Sequence, residues 1–345
     1  MPKQEKIRLL IADDSFFMKK MLKEMVEQEN NIEVVGMAKN GKEAVEMALS
    51  LKPDVITMDY NMPVLDGAKA IAEIMSKSKE KKPGIIMLSA YAAKDAQEAI
   101  GCLQAGAVEL VAKPSGELSL DIDKIQTELI DKIYLAAKAN VQVMGGVNKE
   151  KIRPCKTRGV IKKVVVIGSS TGGPPIVEYI LSSLPSDIDA TIFIAQHMPQ
   201  YFIDKFAQRI DKLSPLKIKV AQNGDLVRAG TVYLTPAEKK IKLEGNIINI
   251  EKEEKKLSPQ PSIDNLMTEA AKTYKEKVIG IVLTGMGEDG TVGLDKIKEK
   301  GGFTLVQEPK TAVIDSMPKS AIKAVHIDRI VDPLKIPEEI LKLLL

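Results

Sequence analysis

Between residues 7 and 138 the chain alternates short apolar runs with helix-period stretches five times over, and this alternation leaves few folds open. The runs at 7–12, 32–36, 55–58, 85–88 and 108–111 are rich in valine, isoleucine, leucine and methionine, as strands buried on both faces are. Helices are predicted after Ser15, from Gly41, from Asp66, near 93–104 and near 121–138. The first carries Phe17, Met21, Leu22 and Met25 at helical spacing; the last has Ile122, Ile125, Leu129 and Ile133 on one face. Strands joined through helices cannot pair as hairpins. The expectation is an α/β unit, an open parallel (βα)5 sheet of five strands, doubly wound.

The polar residues of this half fall at one place in the pattern. Asp13, Asp14, Asp59, Ser89 and Lys113 all sit just past the carboxyl ends of predicted strands, which in an open α/β sheet form the binding crevice. One acid after a strand is an ordinary helix cap, whereas five polar groups at one edge ask for another explanation. Three carboxylates there repel one another unless a hard cation neutralises them, and oxygen-only ligation suits Mg2+. Ser89 and Lys113 are then available to an anion such as a phosphoryl group.

Residues 140–159 break the alternation with a Gly-Gly pair, a proline and several lysines and arginines, the composition of a solvated linker. The 345 residues suffice for a domain on either side of it. A net charge of +3 without an aromatic-basic cluster argues against a nucleic-acid partner. Cys102 and Cys155 are isolated thiols, which suits a reducing compartment. There is no apolar core for a signal peptide and no run of membrane length, so a cytoplasmic protein without membrane insertion is expected.

The second half predicts a mostly parallel α/β sheet with a small antiparallel insertion. Strands are expected at 164–167, 191–195, 218–220, 278–283, 303–306 and 329–331, and helices at 201–213, 262–274, 318–324 and 337–345. The segments 231–234 and 240–250 read as antiparallel strands, the latter split by a turn at Glu244-Gly245-Asn246.

Its opening stretch, VVVIGSSTGGPP at 164–175, is a strand, a glycine-rich turn and a helix starting at Pro174. A dinucleotide-binding turn needs G-x-G-x-x-G, and Ser170 occupies the second glycine position. Gly168-x-Ser170-x-Gly172 instead satisfies G-x-S-x-G, the elbow of a serine nucleophile, with Ser169 pointing back into the sheet. The third reading is a plain βα turn whose hydroxyls cap the helix. A nucleophile needs a base, and the chain has two histidines. His197 directly follows a predicted strand, as Ser170 does, and Asp289 follows another; a carboxylate on the far ring nitrogen orients the imidazole. Ser170, Asp289 and His326 have the chain order of α/β-hydrolases, but His326 precedes a strand and so belongs at the opposite sheet edge.

Over about 5–140 the chain resembles the receiver domain of two-component response regulators, in DDS at 13–15, MDYNMP around Asp59, LDG at 65–67, Ser89 and KP at 113–114. The resemblance implies Asp59 as phosphoacceptor. It also implies Mg2+ held by Asp14, Asp59 and the Asn61 main-chain carbonyl, with Asp13 acting through water, and Ser89 and Lys113 on the phosphoryl oxygens. Such domains often carry an aromatic residue where this chain has Leu110. Further on, GSSTGG (168–173), QHMP (196–199), FAQR (206–209), PSID (261–264), LTGMGEDG (283–290) and MPKSAI (317–322) together resemble the chemotaxis protein-glutamate methylesterases.

That resemblance implies hydrolysis of glutamate methyl esters, and deamidation of certain glutamines, on chemoreceptors, with a chemotaxis histidine kinase as phosphodonor. It implies Ser170 as nucleophile, His197 as base and acid, Asp289 as orienting carboxylate, and backbone N–H groups of Thr171 and Met286 as oxyanion hole. No cofactor serves the esterase chemistry. The Thr171 amide also follows from physics, since it comes after the nucleophile at a helix start. The chain departs from the family's common residues at Lys240 (often histidine), Gln260 (arginine) and Ile314-Asp315-Ser316 (Val-Phe-Gly). The expected division is a receiver at 5–140, a linker at 141–159 and a catalytic domain at 160–345. A tether of that length lets the receiver cover the esterase crevice until Asp59 is phosphorylated. A DNA-binding output domain would be a compact helix-turn-helix, and a scaffold would have no call for serine, histidine and aspartate at strand ends.

Overall fold

Each apolar run of the first half forms a strand: β1 Ile7–Ala12, β2 Ile32–Ala38, β3 Val55–Asp59, β4 Gly84–Ser89 and β5 Glu109–Ala112. The helices are α1 Phe16–Val26, α2 Gly41–Leu51, α3 Gly67–Lys77, α4 Ala93–Ala105 and α5 Ile122–Ala137. The sheet order is β2-β1-β3-β4-β5 and every pairing is parallel. The computed structural model describes residues 6–89, 93–113, 122–141, 161–252 and 260–344. The expected linker from 142 onward with Cys155, Pro114 of the KP pair and the last residue Leu345 lie outside them. The chain divides into two units, Met1–Gly145 and Gly146–Leu345.

Polar caps set the helix starts of the first unit. Ser15 accepts from Met18 N at 3.2 Å, Asn40 from Glu43 N at 2.8 Å and Asp66 from Lys69 N at 2.9 Å. The core joins Leu9 and Ile11 of β1, Ile86 and Leu88 of β4, Leu22 of α1, and Leu129 and Ile133 of α5. Phe17 departs from the expected inward face and is 67% exposed. At 3.6 residues per turn it lies about 140° around the helix from Leu22, while Met25 and Val26 follow Leu22 inward.

The second unit has a seven-stranded parallel sheet in the order β15-β14-β13-β6-β7-β10-β8. Its strands are β6 Lys163–Ser169, β7 Ala190–Gln196, β8 Lys217–Val220, β10 Thr231–Leu234, β13 Val278–Val282, β14 Phe303–Gln307 and β15 Arg329–Val331. Around them lie α6 Pro174–Ser183, α7 Gln200–Leu213, α8 Ile263–Tyr274, α9 Thr291–Glu299, α10 Ser316–Ala324 and α11 Ile336–Lys342. The expected hairpin forms as β11 Lys239–Glu244 and β12 Ile247–Lys252, joined by a short strand that the sequence reading missed, β9 Asp225–Leu226.

The expected antiparallel strand at 231–234 is instead parallel, seated between β7 and β8. All four of its residues are buried, the pattern of an interior parallel strand covered on both faces. Phe202, Phe206 and Ile210 of α7 face inward as expected. The tail helix docks on α6 through Ile336 and Ile340, with Leu344 just beyond, so isoleucines share the role expected of the leucines. The chain passes from β6 to β7 on one side and returns as β13 on the other. The carboxyl ends of β6 and β13 are therefore a topological switch point, where open α/β sheets bind ligands.

Candidate active site

In the first unit the acidic crevice forms as expected. Asp13 follows β1 and is fully buried, Asp59 ends β3, and Asp14 lies exposed beside them. Carboxylate oxygens of the three come within 4.8 Å of one another. Lys113, just past β5, reaches in with its ammonium 2.8 Å from both Asp13 Oδ2 and Asp59 Oδ1. A second buried cation, Lys19 of α1, donates to the Asp13 carbonyl at 2.5 Å. Burial raises the Asp59 carboxyl above its ordinary range; Lys113 opposes this, and the charges of Asp13 and Asp14 add to it. Burial also disfavours the Lys113 ammonium, but its bonds to Asp13 and Asp59 outweigh that and hold its pKa up. Ser89 is buried at the end of β4, and its carbonyl accepts from Lys113 N at 2.8 Å. Leu110 is buried within β5.

In the second unit, register brings the serine and the histidine together. Ser169 pairs with Gln196 at the ends of β6 and β7, so Ser170 and His197 are the next residues out. His197 N donates to Ser169 O at 3.0 Å, Ser170 N to Thr284 O at 3.1 Å, and the buried Gln196 amide to Ser170 O at 3.0 Å. His197 Nε2 lies 2.8 Å from Asp289 Oδ2, with both side chains nearly buried. The tautomer with hydrogen on Nε2 leaves Nδ1 as the basic nitrogen. The Ser170 hydroxyl is not hydrogen-bonded to the imidazole in this structure; such contacts tighten when substrate arrives.

The N-cap position of α6 is Gly173, which has no side chain to offer the helix. The left-handed residue of the turn is Gly172, at φ +74°, while Ser170 has no positive φ, so the turn is not strained at the nucleophile as the elbow motif implies. Ser169 is wholly buried, as its alternate place in the strand predicts. His326 is exposed ahead of β15, at the opposite sheet edge.

Asp289 is held by more than its histidine. Its carboxylate accepts from Ile263 N and Asp264 N, each at 2.9 Å, at the start of α8. Asp264 in turn accepts from Gly290 N at 2.9 Å and Gly293 N at 2.7 Å, at the start of α9. The two helices thus exchange carboxylate caps. Burial pushes the Asp264 carboxyl up, the Asp289 charge adds to it, and two backbone donors resist, leaving it raised to about 6. For Asp289 burial acts in the same direction, but the His197 bond and the two α8 amides prevail and lower it. Asp264 is not among the site residues expected from the sequence; its one signal there is a carboxylate, in PSID, at a helix start.

The expected oxyanion donors lie on two turns beside the nucleophile. Thr171 is buried, and its carbonyl accepts from Thr284 Oγ1 at 3.1 Å. Met286 is 56% exposed on the turn after β13. The preceding Gly285 abuts the nucleophile: a Cβ there would sit 2.6 Å from Ser170 Cβ and run into the Met317 sulfur. Lys240 pairs with Glu251 at 3.2 Å on the small sheet.

An acidic crevice with its lysine on one parallel sheet, and serine, histidine and carboxylate at the switch point of another, point to a class: a response-regulator receiver joined to a hydrolytic domain with a parallel sheet. Residues 9–122 match the response regulator receiver domain, and residues 165–340, half of the chain, match the CheB methylesterase family. The chain belongs to the CheB methylesterase family. It is 38% identical over 341 residues to a protein-glutamate methylesterase/protein-glutamine glutaminase of Thermotoga maritima, with 98% of each chain covered. A protein of the same name from Methanococcus maripaludis is 38% identical over 360 residues, again with 98% of each covered. The crystal structure of the Thermotoga maritima CheB methylesterase catalytic domain aligns with a TM-score of 0.50 at 38% identity, covering 53% of this chain and 100% of that one. The chain is accordingly an enzyme, a hydrolase of a chemotaxis family carrying a response-regulator receiver. Among the described residues no helix is long and apolar enough to cross a membrane.

Proposed function

We propose that the second unit hydrolyses methyl esters of glutamate side chains on chemoreceptors, and deamidates glutamines there, by a Ser170–His197–Asp289 mechanism controlled by phosphorylation of Asp59. The observation that carries this reading is the 2.8 Å His197–Asp289 pair, set by strand register beside Ser170. His197 Nδ1 takes the Ser170 proton as the hydroxyl attacks the ester carbonyl. The oxyanion is stabilised by the N–H groups of Thr171 and Met286. Methanol leaves with the proton from His197, or ammonia when the substrate is a glutamine. The imidazole then activates water, which hydrolyses the acyl-enzyme to free glutamate and Ser170. Asp289 stays ionised and stabilises the imidazolium; its lowered pKa supports that role.

In the receiver, an all-carboxylate donor set within 4.8 Å fits a hard divalent cation. Asp13, Asp14, Asp59 and the Asn61 main-chain carbonyl would hold Mg2+ there, and the ion would supply charge neutralisation for phosphoryl transfer from a histidine kinase. Lys113, already on Asp59, and Ser89 receive the phosphoryl oxygens. The working limits are a receiver at 5–140, a linker at 141–159 and a catalytic domain at 160–345, in a cytoplasmic enzyme whose substrate is the receptor's cytoplasmic part. The test is mass spectrometry of a methylated receptor peptide incubated with the full chain. Loss of one methylene per ester with release of methanol is expected; folded protein that leaves the esters intact contradicts the reading.

A further inference from the structure

The Ser316 hydroxyl makes two hydrogen bonds around Met286. It donates to Gly285 O at 3.0 Å and accepts from Gly287 N at 3.1 Å. Gly285 O also accepts from Met317 N at 3.0 Å, and Gly285 N donates to Ile314 O at 3.0 Å. The Gly285 carbonyl and the Met286 N–H belong to one planar trans peptide unit and point in opposite directions. Donors that fix the carbonyl therefore fix the direction of the N–H. A hydrogen-bonded carbonyl also polarises its peptide and strengthens the N–H as a donor.

We infer that Ser316 is a positioning residue for ester hydrolysis: its hydroxyl clamps the peptide groups on both sides of Met286 and aims the Met286 N–H at the oxyanion. The inference rests on the proposed Ser170 mechanism with Met286 in the oxyanion hole. Main-chain bonds from Met317 and Ile314 remain without the hydroxyl, so its loss loosens the turn rather than dissolving it. Removing an oxyanion donor outright costs roughly 100- to 1000-fold in kcat, and misaiming one costs less, roughly three- to tenfold.

The experiment uses the full chain and a methylated receptor peptide. Ser316→Ala is expected to lower kcat by roughly three- to tenfold with KM nearly unchanged, because the oxyanion exists only on the way through the reaction. A trifluoromethyl ketone analogue of the substrate, whose adduct with Ser170 carries the oxyanion, is expected to bind more weakly by a similar factor. Ser316→Thr, which keeps the hydroxyl, is expected to restore both. Unchanged kcat and analogue affinity in Ser316→Ala overturn the inference, as does a Ser316→Thr variant that loses as much as Ser316→Ala. Ser170→Ala run alongside separates the two layers. If it is inactive while Ser316→Ala behaves as wild type, only the clamp is wrong; if it hydrolyses as fast as wild type, the underlying mechanism is wrong.

Discussion

The two sheets of this chain both place their chemistry at strand carboxyl ends, but they hold it there by different forces. In the receiver the groups are charges standing directly on the strand ends, and Lys113 keeps Asp13 and Asp59 together at 2.8 Å each. That cluster is electrostatically unbalanced, since burial and neighbouring carboxylates raise Asp59 against the pull of Lys113. In the esterase the groups lie on turns and are pinned by hydrogen bonds from other elements: Asp289 by α8, Ser170 by Gln196 and Thr284. There the contact still to close in the proposed mechanism is the one between the Ser170 hydroxyl and the His197 imidazole. In the proposed reading one sheet edge is the switch and the other the catalyst.

The largest expected effect breaks the esterase side alone. Ser170→Ala should lower ester hydrolysis by at least about 1000-fold, whereas Ser169→Ala, buried in β6, should keep most of it. Equal losses in two folded proteins, measured by methanol release, would return Ser170 to a structural role.

The receiver side is broken by Asp59→Asn. Stimulation by a small phosphodonor should disappear while basal turnover stays, because the esterase carries its own machinery. Fluorescence or phosphate-labelling assays of the receiver, run beside methanol release, separate the two losses.

A third effect sharpens the contrast through pH. The proposed mechanism needs a neutral base, so turnover should fall on acidification. His326→Gln should give the same profile, being exposed at the far sheet edge. A profile that moves with His326 and not with His197 would reinstate the α/β-hydrolase order.

The smallest effect concerns stability. Folding raises the Asp264 carboxyl from 3.8 to about 6, so the native state holds that proton more tightly than the unfolded chain does. Native stability is therefore reduced by this group as pH rises from 3.8 to about 6, and the penalty persists above. Asp264→Asn removes the charge, yet its amide oxygen can still accept from Gly290 and Gly293. Its thermal midpoint should gain on wild type between those pH values, by a few degrees. Asp289 has the opposite sign: its lowered pKa supplies stability above the unfolded value that is lost on acidification through the folded one. A variant that falls below wild type at neutral pH would mean that the cap exchange needs the Asp264 charge.

The contrast also explains what could be read in advance. Asp13, Asp14, Asp59 and Lys113 were legible because strand ends are legible, and a residue one step past a strand inherits its position. Ser170 and His197 followed by the same logic from β6 and β7. Asp264, Thr284 and Ser316 did not, because their roles are bonds across β13, α8, α9 and α10, between segments distant in sequence. The parallel placement of 231–234 was missed for a related reason, since four residues carry no signal of which neighbour they pair with. Phe17 misled because its spacing is helical while its direction is set by the sheet that α1 packs on.

In the proposed mechanism a phosphorylation-controlled serine centre removes methyl esters from chemoreceptors. Methanol release from methylated chemoreceptor membranes, with and without a small phosphodonor, tests it most directly. Release by the full chain is expected, at a higher rate with phosphodonor, with none above background from Ser170→Ala under either condition. Release at the wild-type rate by folded Ser170→Ala, or none by the wild type with phosphodonor present, would contradict it.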